Sequence, residues 1–75
     1  HPTKRWTMAD VERERWVVLD GYVYDVSDMV DRHPGGAALL ERMRGRDISD
    51  VYHRIGHSST ARAWVEEGCV GVVNN

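Results

Sequence analysis

The sequence predicts an α+β domain: a small mixed sheet carrying two helix pairs with a cleft between them. Three observations carry that expectation. Trp16 to Tyr24 reads as a hairpin around Asp20-Gly21, and Cys69 to Val73 reads as a closing strand. The stretch between them is helical with repeated breaks. Strands at the ends and helices grouped between them give a segregated order, not the alternation of an α/β fold.

Taken in order, residues 1–6 look like a loose lead-in, the domain proper is expected over 7–73, and 74–75 form a tail. Thr7 followed by Asp10 marks a capped short helix over about 8–13, with Met8 and Val11 facing inward. Trp16 to Leu19 is a buried strand. Asp20-Gly21 supplies the two-residue turn that returns it through Tyr22-Val23-Tyr24. Ser27 is expected to cap a short helix, with Met29 and Val30 as its apolar members, that delivers His33.

The next helix, about Gly36 to Arg44, has Leu39, Leu40 and Met43 on one side. Asp47 opens another, in which Ile48, Val51, Tyr52 and Ile55 share one helical face. It stops at Gly56. A last helix starts near Ser59 or Thr60, with Ala61, Trp64 and Val65 inward.

At 75 residues this is one small domain, near the lower limit at which a single core suffices. A chain of this size usually needs a staple. Its one cysteine excludes an internal disulfide, and no Cys-x-x-Cys-His is present. A large apolar cofactor can take that part instead. The net charge of −2 is too small to suggest nucleic acid. No apolar run approaches the ~18 residues of a membrane span, and no signal peptide is visible. A start at His1 rather than Met points to a piece of a longer protein.

Two histidines stand out. His33 is followed by Pro34, which cannot continue a helix, and by Gly35-Gly36. His57 follows Gly56, where helices commonly stop. Helix ends facing each other could grip one flat cofactor from both sides.

This pairing resembles the cytochrome b5 haem-binding domain family. The resemblance rests on His33-Pro34-Gly35-Gly36 and Gly56-His57-Ser58, with the histidines 24 positions apart as the family has them. Trp16-Val17-Val18, Val23-Tyr24-Asp25-Val26 and Gly45-Arg46-Asp47 match as well, so it covers roughly residues 6 to 73. Either histidine alone reads as an ordinary helix-end residue. The pair in this register is what carries the resemblance.

It implies one non-covalent haem b with His33 and His57 as axial ligands, since neutral imidazole is a good ligand for haem iron. The implied apolar lining is Leu19, Val26, Met29, Pro34, Leu39, Leu40, Tyr52, Ile55 and Trp64, which are core residues on any reading. Ser58 matches a family position that hydrogen-bonds a haem propionate, and it could equally cap the following helix.

The implied function is electron transfer without catalysis, by a monomer that is either a free soluble carrier or a domain of a larger redox enzyme. Its partner would be a redox protein or fused domain of flavin reductase, desaturase or hydroxylase type. Its expected compartment is the cytoplasm or a membrane's cytoplasmic face. A zinc site is the other metal option, but His1, His53 and Cys69 are the only spare candidates and have no recognisable spacing. A related haem- or steroid-binding regulatory module and a haem-free interaction domain are the remaining alternatives.

The chain also departs from the family. It has no phenylalanine, and Met29 and Tyr52 stand where the family usually places two of them. Gly68 occupies a third commonly aromatic place. His53 reads as a solvated surface residue and Cys69 as an inert, buried strand residue. Where many members carry acidic residues, this chain has Ala37-Ala38 with Arg42, Arg44, Arg46 and Arg54 nearby. Glu41, Asp47 and Asp50 remain, so a mixed surface is expected.

Overall fold

The computed structural model describes residues 3–32, 38–55 and 67–74, and for Leu39 and Ile55 the backbone alone. Elements run in the order β1 (Arg5–Trp6), α1 (Met8–Glu14), β2 (Val17–Leu19), β3 (Tyr22–Tyr24), α2 (Ser27–Arg32), α3 (Ala38–Met43), α4 (Ser49–Ile55) and β4 (Cys69–Val73). The fold is the expected α+β one. The helix expected from Ser59 or Thr60 lies outside the described residues.

The four strands form one sheet in the order β1-β4-β3-β2, parallel between β1 and β4 and antiparallel elsewhere. Asp20 (φ 52°) and Gly21 (φ 85°) make the hairpin turn. Two central residues with positive φ match the right-handed twist of the strands they join. Between β3 and β4 the register shifts: Val23 faces Gly71 and Tyr24 faces Cys69. Val70 is the extra residue of a bulge.

Because side chains alternate along a strand, the three buried residues of β2 serve both faces. Val17 and Leu19 join Tyr24, Val26, Met29 and Ile48 on the face that α2, α3 and α4 cover. Val18 and Val23 join Val11 of α1 on the other, where Trp6, Trp16, Met8, Val70 and Val73 close the cluster. Helix α1 starts with the expected capping box: Thr7 Oγ1 accepts from the Asp10 N–H, and Asp10 Oδ2 accepts from the Thr7 N–H.

Two expectations need correction. The lead-in is not loose throughout, because Arg5 and Trp6 pair with Val72 and Val73. The Trp6 Nε1–H also donates to the Val70 carbonyl (2.9 Å). This close approach needs Gly71, since a Cβ there would run into the Lys4 carbonyl and the Trp6 indole. Nor is Ser27 the cap of α2. The Asp25 carboxylate accepts from the Ser27 N–H (2.9 Å), and Ser27 is the first residue of the helix.

Candidate functional site

The helical face of the sheet is an apolar floor. Leu19, Val26 and Met29 are buried in it, and Leu40 and Tyr52 pack on it half-buried beside Val30, Met43 and Cys69. Five of the expected lining residues (Leu19, Val26, Met29, Leu40 and Tyr52) therefore meet in one cluster drawn from β2, α2, α3, α4 and the β3–α2 link. Leu39 and Ile55 belong to α3 and α4 by their backbone. His33, Pro34, His57, Ser58 and Trp64 lie outside the described residues. Helix α2 ends at Arg32, immediately before His33, and α4 ends at Ile55, two residues before His57.

A repeated triplet launches these two helices. Asp25-Val26-Ser27 and Asp47-Ile48-Ser49 each bury the central aliphatic residue and use the aspartate Oδ1 to accept from the serine N–H, at 2.9 Å in both. An aspartate two residues ahead of a helix offers the first turn's unsatisfied donors a local acceptor. The repeat was visible in the sequence, but the first copy reads as a serine cap.

Charge on this side is less exposed than composition suggests. Arg44 is folded in, its side chain only 15% accessible. Its Nε–H donates to the Arg15 carbonyl, Nη1–H to Glu41 and Nη2–H to the Ser27 hydroxyl. Glu41 is shared with Arg15, at 2.9 Å. Arg44 is thus a structural tie rather than a surface cation, while Arg42, Arg46 and Arg54 are exposed.

His53 faces solvent with its Nε2 2.9 Å from the Asp20 carboxylate, as a surface residue should. Its ring meets Tyr52 edge-on at 5.8 Å between centroids. Cys69 is half-buried rather than fully buried, with its Sγ 3.8 Å from the Gly71 carbonyl. Among the described residues no group of three His, Cys, Asp or Glu side chains could hold a metal ion. Gly68 has a steric reason to lack an aromatic side chain. Its carbonyl accepts from the Asp25 N–H (2.7 Å), and a Cβ on it would overlap the Asp25 carbonyl oxygen.

The family model described as "Cytochrome b5-like Heme/Steroid binding domain" matches residues 7–74. The chain belongs to this family. Similar cytochromes b5 include those of Cuscuta reflexa and Nicotiana tabacum, each 40% identical over 97% of this chain. The chain spans 58% and 57% of their respective lengths. Among solved structures, cytochrome b558 of Ectothiorhodospira vacuolata, described as a prokaryotic homologue of cytochrome b5, superposes with a TM-score of 0.81 at 23% identity. That superposition covers 93% of this chain and 98% of that one. The cytochrome b5 of Ostreococcus tauri virus 2 gives a TM-score of 0.74 at 19% identity, covering 92% and 95%. At these identities the structures establish a shared fold.

The residues present fit the group that the family name implies. Among the described residues the floor buries no charged side chain, the Tyr52 hydroxyl is a buried polar atom within it, and its half-buried members give a flat, apolar group a surface to cover. The histidines in the matched span offer nitrogen donors of the right kind. No described helix is long and apolar enough to cross a membrane.

Proposed function

We propose that this domain is an electron carrier that binds one non-covalent haem b, with His33 and His57 as its two axial ligands. The observation that carries the reading is a shared apolar face. Two helices that start from it with matching triplets end, along the chain, one and two residues before the two histidines of the family motif. Haem iron held by the imidazoles of His33 and His57 would supply a one-electron couple and leave no open site for oxygen or substrate.

The chain's own residues do the rest. Leu19, Val26, Met29, Leu40 and Tyr52 exclude water from one side of the group. On the family resemblance, Pro34, Leu39, Ile55 and Trp64 would complete the lining, and Ser58 would hydrogen-bond a propionate. Each ligand's second ring nitrogen would need an acceptor to fix the ring's orientation. With two nitrogen donors the potential lies below that of a His/Met site.

The domain works as a monomer and exchanges electrons with a protein partner or a fused redox domain of flavin reductase, desaturase or hydroxylase type. It does not catalyse a reaction itself. With Arg44 folded in and Arg42, Arg46 and Arg54 exposed, the surface is mixed in charge. Such a rim steers encounter weakly, so reaction with a basic acceptor should depend little on salt.

Absorption spectra of the purified protein loaded with haem test the reading. The expected result is a low-spin spectrum with sharp visible bands on reduction, abolished in both His33→Ala and His57→Ala. A variant that keeps an unchanged low-spin spectrum shows that its histidine is not a ligand. A broad high-spin spectrum in the wild type would indicate a binding or sensing module, and no haem uptake would indicate an interaction domain.

A further inference from the structure

We propose that Arg44 is a positioning residue: it sets the splay of the α2–α3 pair and, through it, the ligand field of the haem iron that the site would hold. The inference rests on the reading of His33 as a haem ligand. Its starting point is a geometric oddity. Arg42 and Arg46 are exposed, whereas the side chain of Arg44 is largely covered and spends all three of its nitrogens on different elements. Nε–H reaches the Arg15 carbonyl (2.9 Å), the residue that caps α1, and Nη2–H reaches Ser27 Oγ (2.9 Å), the first residue of α2. Nη1–H reaches Glu41 Oε2 (3.2 Å) in α3, while Arg15 holds the other oxygen of the same carboxylate.

The placement gives this fork its leverage. Helix α2 runs into residues 33–37 and α3 runs out of them, so Ser27 and Arg44 stand at the opposite end of the pair. A helical hairpin joined at one end has a range of splay angles, and a tie across the other end selects one.

The tie has a firm base. The Gly45 N–H donates to the Trp16 carbonyl (2.6 Å), the Val18 N–H to the Arg46 carbonyl (3.0 Å) and the Arg46 N–H to the Met43 carbonyl (3.2 Å). The backbone from which Arg44 projects is therefore fastened to β2 and to the end of α3. A guanidinium presents its donors in a rigid plane, so the three acceptors are fixed relative to one another. Glu41 is 42% accessible, and ion pairs of that exposure contribute little to stability. The effect of the network is thus geometric: it restricts where α2 lies more than it stabilises the fold.

The test uses the haem-loaded protein and reads two quantities, the g values of the ferric low-spin electron paramagnetic resonance signal and the rate of haem transfer to apomyoglobin. The g values respond to the relative orientation of the two imidazole planes, which a general loss of stability would leave alone. Arg44→Ala should shift the largest g value and speed haem transfer roughly tenfold, as expected for losing charge-assisted hydrogen bonds.

Ser27→Ala removes one acceptor and should give a smaller shift in the same direction. Arg44→Lys should fail to restore either quantity, because an ammonium cannot span the three acceptors. Unshifted g values and unchanged transfer in Arg44→Ala would overturn the proposal, even with a lower melting temperature. If Arg44→Ala does not fold, Ser27→Ala and Glu41→Gln decide, and unshifted g values in both overturn it. A wild type without a low-spin signal would remove the ligation reading and this one together. A low-spin wild type with unshifted variants removes this one alone.

Discussion

Helices α2 and α4 both begin with an aspartate, a buried aliphatic residue and a serine, yet the two starts are fastened in different ways. The α4 start lies along β2 at the edge of the sheet. There the Ile48 N–H donates to the Val18 carbonyl (2.7 Å), the Val18 N–H donates to Arg46, and the Ser49 hydroxyl accepts from the Asp20 N–H (2.8 Å). The α2 start hangs from the sheet interior by a main-chain bond from Asp25 to Gly68, and its serine is held by the side chain of Arg44. Main-chain ladders fix a segment against its neighbour whatever the side chains are, while a side-chain fork can be altered by one substitution. The arm toward His57 is built to be fixed, and the arm toward His33 can be tuned.

The largest effect that should separate the arms lies in their buried central residues. Ile48→Ala should destabilise the fold by about 2–5 kcal/mol, because the site is fastened on two sides and cannot collapse around the lost volume. Val26→Ala removes less volume and should cost less. Urea denaturation of both variants gives the ranking, and a Val26 variant that costs more would break the contrast.

Gly68→Ala comes next, at about 1–3 kcal/mol, since the methyl group must push the Asp25 carbonyl away. Amide exchange should quicken in α2 and leave α4 unchanged. Equal loosening of both would show that the arms are not independently anchored.

A finer contrast concerns the aspartates. Removing a helix-starting acceptor costs about 1 kcal/mol. Asp47→Ala should exceed Asp25→Ala in thermal denaturation, because the Asp47 carboxylate accepts from both the N–H and the hydroxyl of Ser49. The reverse order would mean that the hydroxyl contact is idle.

The smallest effect belongs to α1, which lies on the other face and serves as a reference. The Thr7 N–H donates to the Asp10 carboxylate and, with Arg13 assisting, holds its pKa below the ordinary 3.8. A lowered folded value means that the cap's contribution is complete above the unfolded value and lost as pH falls through the folded one. Acid titration followed by nuclear magnetic resonance should therefore show Asp10 protonating below the ordinary range, with the first turn of α1 loosening in step. Protonation at or above 3.8 would contradict the capping geometry.

Local chemistry made much of this architecture readable. Asp20-Gly21 demanded a turn, Thr7 and Asp10 demanded a capped helix, and the apolar run of β2 demanded burial. What escaped depended on distant partners. Nothing near Arg5 and Trp6 marks them as a strand, because their pairing residues, Val72 and Val73, come at the far end of the chain. Arg44 looked like a surface charge because a sequence records that an arginine is present and not which way it folds.

Gly68 looked like a missing aromatic ring, and only the approach of Asp25 explains it. At the site, the resemblance supplied both the histidines and the lining residues, five of which share the floor. The different fastening of the two arms was invisible, since matching triplets found different neighbours.

The pairing of β1 with β4 also has a mechanical consequence. Because these strands are parallel, tension applied at Lys4 and Asn74 in opposite directions drags one strand lengthwise past the other. The bonds from the Val72 N–H to Lys4, from the Asn74 N–H to Trp6 and from the Trp6 indole to Val70 then bear load together instead of opening one after another. Forced unfolding is governed by how fast that first rupture occurs. A pull on the ends therefore meets this clasp before it reaches the apolar floor.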